Sequence, residues 1–234
     1  MLIRQSNTVA GAMEVLSNDG LNVSFSAFGE DRVLFSILKK KKRLNKRGFY
    51  IDVGAHHPWK KSNTALLSHF KRWKGINIDA SLEAIKLFDQ ERPRDVNICA
   101  AVSDEVYDAE YAIFNRPAVN TLNPEMRQQQ IEAEHGAYKL EKLVEMTTKR
   151  LDSILDKHVE PNQEIDFMSV DVEGMDVQVL KSNNWDKYRP YILAVETHGI
   201  NLNDPTLNAT YNYLCERDYE LISHTFVTSF FIRK

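Results

Sequence analysis

The chain has only two cysteines, Cys99 and Cys215, in 234 residues. That excludes a disulfide framework and a cysteine zinc site, and it leaves two reduced thiols of the kind the cytosol keeps. No uninterrupted apolar stretch approaches the ~18 residues of a membrane span. The start, Met1-Leu-Ile-Arg-Gln-Ser, lacks a charged segment followed by an apolar core, so no signal peptide is expected and a cytoplasmic location is the plain reading. An excess of one charge is also missing. The net charge is -3, which gives no global argument for a nucleic-acid partner. Internal repeats are absent, and so is a G-x-G-x-x-G loop, the usual cradle for a dinucleotide pyrophosphate.

What is present is a ladder of apolar runs that end in acids. Phe49-Tyr-Ile-Asp-Val-Gly-Ala-His-His-Pro58 is a strand running into an acid and a glycine. Gly75-Ile-Asn-Ile-Asp-Ala80 is a second strand ending in an acid. Strand, tight glycine turn, helix, strand and terminal acid make one half of a nucleotide-binding α/β sheet. The glycine is expected to let the backbone approach a ligand closely. The terminal acid, Asp79, stands where two ribose hydroxyls can each donate to it. With no pyrophosphate cradle, the pattern points to a nucleoside without phosphates, of which S-adenosylmethionine is the commonest.

The remaining pattern fills out the sheet. Residues 1–48 are predicted mostly helical, with Val33, Leu34, Ile37 and Leu38 on one helical face. Strands are expected near 49–54, 75–79, 96–102, 107–114, 165–171 and 191–196, with a closing antiparallel pair at 219–223 and 229–233. Helices are expected from Ser62, as N-cap, to Trp73, from Ser81 to Glu91 where Pro93 stops it, from Gly174, and after Pro205. Residues 115–140 are polar and irregular except for one helix, and are predicted to be an acceptor wall or lid. The fold class is therefore α/β, a mainly parallel sheet with an antiparallel edge hairpin. At 43% hydrophobic, the chain can fill one core. The expected division is an N-terminal helical extension, 1–48, covering the cofactor site, and a main domain, 49–234.

Tyr50-Ile-Asp-Val-Gly-Ala55, Ser62-Asn-Thr64, Gly75-Ile-Asn-Ile-Asp79, Ala101-Val-Ser-Asp104, Asp171-Val-Glu-Gly174 and Thr228-Ser-Phe-Phe-Ile-Arg-Lys234 together resemble the FkbM family of methyltransferases. Phe25-Ser-Ala-Phe-Gly-Glu-Asp31 resembles the family's upstream segment. No single motif is specific, but their order is. The resemblance implies a class I, Rossmann-like methyltransferase fold with a seven-stranded sheet. It also implies S-adenosyl-L-methionine as cofactor and, usually, methylation of a hydroxyl on a sugar, glycan or glycosylated natural product. The chain departs from the family at His56-His57-Pro58, where many members carry Asn and a further Gly, and at Ser169, where Lys is common.

On this reading Asp52 meets the methionine amino group and Asp79 takes the ribose hydroxyls. Ser103 and Asp104 lie at the adenine edge, and His56 and Asn63 hold the methionine carboxylate. Gly54, Ala55, Ala80, Val102 and Asp171 complete the cofactor set. Asp171 and Glu196 end strands that should be neighbours, and His198 follows closely. A weakly acidic hydroxyl needs alignment and a base, and His198 has the best intrinsic pKa for that work. The trio Asp171, Glu196 and His198 also suits a divalent cation. Glu173 has a bland alternative as a helix cap. Trp59 is expected near the acceptor, with Trp73 and Trp185 in the core.

Three other readings compete, one of them a non-catalytic binding module that kept the fold, which the intact acids Asp52, Asp79 and Asp171 argue against. A methyltransferase for RNA or another polyanion draws only on the basic run Lys39-Lys-Lys-Lys-Arg-Leu-Asn-Lys-Arg47. The N/D-P-P-Y/F motif of amino-methylating nucleic-acid enzymes is absent. A nicotinamide-dependent oxidoreductase would use the same kind of sheet, and the missing glycine-rich loop argues against it.

Overall fold

Strands buried on both faces must be apolar throughout, and the runs at 167–170 and 192–196 are buried at every residue. In the computed structural model, which describes residues 23–44, 47–133 and 136–234, these runs form the centre of a seven-stranded sheet. The strands are β1 (Phe49–Val53), β2 (Lys74–Asp79), β3 (Val96–Cys99), β6 (Phe167–Val170), β7 (Ile192–Glu196), β8 (Tyr219–Thr225) and β9 (Thr228–Arg233), in the order β3-β2-β1-β6-β7-β9-β8. Pairing is parallel from β3 to β7, and β9 runs antiparallel to both β7 and β8. The mostly parallel sheet and its closing antiparallel hairpin are those read from the sequence. The chain steps outward from β1 through β2 to β3, then returns to lay β6 on the other side of β1. The crevice at that reversal, beyond the carboxyl ends of the strands, is where such sheets bind ligands.

Two apolar cores cover the sheet. One joins Ile51, Val53, Ile76, Ile78, Met168, Val170, Leu193 and Val195 to Leu151, Ile154, Leu155, Val179 and Leu180. These last come from α4 (Leu151–His158) and α5 (Asp176–Lys181). The other packs Tyr50, Leu67, Trp73, Phe167, Ile192 and Phe230 against Leu34 and Leu38 of α1 (Glu30–Lys40), four residues apart and so on one helical face. Residues 1–22 of the expected helical extension 1–48 lie outside the described residues. The helix α2 (Leu82–Glu91) starts on its expected cap, with Ser81 Oγ accepting from Ala84 N.

Several expected elements are different. The helix from Ser62 to Trp73 shrinks to one π turn, Leu66–Phe70, bracketed by left-handed Lys61 (φ 55) and Arg72 (φ 55). Ser62 does not cap it, because its hydroxyl is engaged with Arg92 and Thr64. Gly174 precedes α5 rather than opening it, and Met175 is the N-cap. The run at 107–114 is a strand, β4 (Asp108–Phe114), but it stands apart from the main sheet. It pairs antiparallel with β5 (Leu140–Thr147), a strand hidden in the sequence because it packs on β4 alone and only Leu140, Val144 and Met146 are even half-buried. Between them lies α3 (Pro124–Glu132), capped by Asn123. The helix after Pro205 is a short 3₁₀ turn followed by α6 (Ala209–Cys215). No helix among the described residues is long and apolar enough to cross a membrane.

Candidate active site

The end of β1 is shaped by its neighbour. Gly54 has φ +79, and a Cβ there would sit 1.7 Å from the carbonyl oxygen of Asp171. Glycine is demanded by the backbone at the end of β6, not by a ligand as the sequence suggested. The amides of Gly54 and Ala55 both donate to the Ile78 carbonyl, so the turn is sewn to β2. His56 continues it at φ 56, and its amide donates to Asp79 Oδ2 at 2.8 Å. The other oxygen, Oδ1, accepts from Ser81 N at 2.7 Å. Burial pushes the Asp79 pKa up, against the pull of these two amides. A carboxylate has about four lone-pair sites, so two backbone donors fix Asp79 and leave room for two hydroxyls.

Asp52 takes a different post. It is 4% exposed, and it accepts from Thr64 Oγ1 at 2.6 Å. Burial raises its pKa to about 6, while the Thr64 bond and Arg92 pull it down. Arg92, unnoticed in the sequence, is the hub of this region. It is 2% exposed and donates to Thr64 Oγ1 at 2.8 Å, Ser62 Oγ at 3.0 Å, Tyr50 Oη at 3.2 Å and the Pro58 carbonyl. One guanidinium thereby ties the end of α2 to the whole loop after β1.

A cleft of about 390 Å³ opens above the carboxyl ends of β1, β2, β6 and β7. Of the predicted cofactor residues, Gly54, His56, Asn63, Asp79, Ala80 and Val102 line it, together with Asp171 and Glu196. Asp52, Ala55, Ser103, Asp104 and His198 are not in its wall. Ser103 Oγ instead donates to the neighbouring Asp104 carboxylate at 3.2 Å. Asn63 Nδ2 donates to Ser169 Oγ at 3.1 Å. Burial lowers the His56 pKa to about 4, so its imidazole is neutral. His57 is a loop cap, its Nδ1 accepting from Trp59 N and Lys60 N at 3.0 and 3.1 Å. Trp59 does not reach the cleft, because it is stacked on His69 with ring centroids 3.5 Å apart.

The segment between β4 and β5 forms one wall, with Tyr111, Pro117 and Thr121 in the lining. Ala27, Phe28 and Glu30 contribute from the other side. The wall is pinned: Thr121 Oγ1 donates to the Glu173 carbonyl at 2.7 Å, and Asn123 Nδ2 to the Gly174 carbonyl at 2.9 Å. Sequence reasoning placed a wall or lid here but not its anchors, which depend on a partner about fifty positions away.

The acids gather at the next turn. Glu173 is left-handed at φ 53 and Gly174 follows at φ 94. The turn is bracketed by Asp176, whose carboxylate accepts from Val172 N and Gly174 N. Burial, then Glu196, raises Glu173 to about 8 and Asp176 to about 7. Asp171 is held well above the usual carboxylate range by burial first, then by Glu196, Glu173, Asp176 and Asp52. His198 Nε2 meets Glu196 Oε1 at 2.9 Å, and that contact raises the imidazole pKa. The ring is 54% exposed and lies in a smaller adjoining pocket that shares Glu196 with the cleft. Of the expected trio, Asp171 and Glu196 face one cleft, and His198 stands behind Glu196. The side chains whose ligand-type atoms close up are Glu173, Glu196 and His198, all within 4.8 Å of one another.

Comparison with known proteins gives one family. The Methyltransferase FkbM domain matches residues 52–221. No curated protein matches the chain. Among the solved structures that match are two methyltransferases. One is a TehB-like SAM-dependent methyltransferase from Corynebacterium glutamicum, with 11% identity and a TM-score of 0.43 over 99% of this chain and 100% of that one. The other is a SAM-dependent methyltransferase from Agrobacterium tumefaciens, with 9% identity and a TM-score of 0.38 over 88% of this chain and 62% of that one.

Proposed function

This chain belongs to the FkbM methyltransferase family, and on that premise we propose that it methylates a hydroxyl of a sugar, glycan or glycosylated natural product. The family makes S-adenosylmethionine the cofactor. The observation that carries the finer reading is that one cleft holds both Asp79, fixed at the end of β2 with lone pairs to spare, and the acids Asp171 and Glu196.

The chain's residues fit that cofactor. Asp79 would accept from the ribose hydroxyls, and Ile78, Ala100, Ala101 and Val102 offer the apolar walls a flat base needs. Asn63 and His56 would face the methionine end, with Asp52 acting behind Thr64 to hold the loop in shape. Bound there, the cofactor supplies a methyl group already activated by a sulfonium. The chain's own part is to align the acceptor oxygen and take its proton. Asp171 lines the cleft, where its carboxylate can take the acceptor's proton, and burial first, then Glu196, holds its pKa above the usual carboxylate range. Glu196 stands beside it with His198 as its partner.

The polyanion reading loses support from where the basic run sits. Arg43 is spent on Glu164 and Asp166 at 2.7 and 2.6 Å, and Asp166 also accepts from Phe49 N. That is the edge of the sheet where β1 and β6 begin, opposite the cleft.

Calorimetry with S-adenosylhomocysteine tests the proposal. Micromolar affinity, roughly -8 kcal/mol, is expected. Asp79→Ala should lose about 1–3 kcal/mol of it, because buried hydroxyls lose their acceptor. Asp171→Asn should lower kcat roughly 10²–10⁴-fold with that affinity within a few-fold. No binding by the wild type, or an unchanged Asp79→Ala, would refute the cofactor assignment. An unchanged kcat in Asp171→Asn would refute the base.

A further inference from the structure

We propose that Glu173, Glu196 and His198 form a divalent-cation site at the junction of the cleft and its adjoining pocket. The geometry comes first. Each of the three offers a ligand atom, and these atoms lie within 4.8 Å of one another, the one such group of three among the described residues. The second observation is independent of the clustering. Glu196 is 7% exposed, and its Oε2 is buried without any hydrogen-bond partner. A buried carboxylate oxygen left without a donor forfeits its hydration with nothing in return. The other oxygen meets only the imidazole of His198. A bound cation supplies what that oxygen lacks.

The surroundings support the same conclusion. Asp176 is consumed by the amides of Val172 and Gly174, so it holds the turn and is not a ligand. The turn puts Glu173 in a left-handed conformation, which is strained for a non-glycine residue. It is held there from outside by Asp176 and by Thr121 on the Glu173 carbonyl. Such over-determined strain is common at ligand sites. Two carboxylates and an imidazole are a hard oxygen-rich set suited to Mg²⁺ or Mn²⁺, and three protein ligands leave positions open for water or an acceptor oxygen.

The site's use rests on the methyltransferase reading, because Glu173 and Glu196 also line the cleft where the acceptor hydroxyl would lie. A cation there would hold that oxygen and leave Asp171 free to take the proton. His198, expected from the sequence to be the base, becomes a ligand.

Titration of the full chain with Mn²⁺, read by electron paramagnetic resonance with Mg²⁺ as competitor, tests the site directly. The wild type should bind about one Mn²⁺, displaced by Mg²⁺. Glu196→Gln and His198→Ala should each weaken it by more than about tenfold, a typical loss when a metal site is altered. Both should keep S-adenosylhomocysteine affinity within a few-fold, which shows that they fold. Glu173→Gln is the second carboxylate control. No Mn²⁺ bound by the wild type, or undiminished binding in both glutamine variants, overturns the site while leaving the methyltransferase reading intact. Mn²⁺ binding without S-adenosylhomocysteine binding would sink that reading and the site's catalytic use, while keeping the site.

Discussion

Asp52 shows how far a residue's chemistry can be read before its neighbours are known. The sequence marks it as an acid ending a strand. It cannot reveal that Thr64 will donate to it, or that Arg92 from beyond α2 will hold Thr64 in turn. Burial is the largest influence on Asp52 and raises its pKa to about 6; Thr64 and Arg92 pull it down, and Asp79 and Asp95 push it up. In the unfolded chain it titrates near the ordinary aspartate value, 3.8. Between about pH 4 and 6 the folded chain therefore keeps a proton that the unfolded chain has lost. The folded state binds more protons, so stability falls as pH rises through that window, by on the order of 3 kcal/mol from this group. Asp52→Asn keeps an oxygen for Thr64 and removes the titration. Urea melts at pH 4 and pH 6.5 should show a smaller loss in the variant than in the wild type. Parallel losses would mean that Asp52 is charged throughout.

At the scale of elements, Gly54 makes the sharpest demand. The turn after β1 and the end of β6 approach so closely that a methyl group would overlap the Asp171 carbonyl, and φ is left-handed besides. Gly54→Ala is expected to destabilise by more than ~3 kcal/mol, since relief requires parting two central strands. A melting temperature within a few degrees of wild type would show that the strands can part cheaply. The same elements show what patterning can carry. β1, β2, β6 and β7 were legible because both their faces are buried, which forces continuous apolar runs. Asp79, Asp171 and Glu196 were legible as the acids where those runs stop. β5 was not, because it leans only on β4 and no core imposes a period on it. The helix expected from Ser62 failed because the hydroxyl that read as its cap is claimed by Arg92. The closeness of Glu173 to His198 could not be read from the sequence, because the β6–β7 pairing brings them together.

For the whole molecule, chemistry and basic charge lie on opposite edges of one sheet. The cleft sits where the strands end, and exposed Lys39, Lys40, Lys41 and Lys42 cluster where they begin. Replacing these four lysines by glutamine should leave S-adenosylhomocysteine affinity unchanged within twofold, at low salt and at high salt. A fall seen only at low salt would show that their field reaches the cleft at a range the Debye length otherwise limits to about 10 Å at 0.1 M. The wall of the cleft ties these scales together. Thr121 and Asn123 hold it down by grasping the backbone of the turn that presents Glu173. Any lifting of that wall must break both bonds, so it would free the left-handed turn at Glu173 in the same movement.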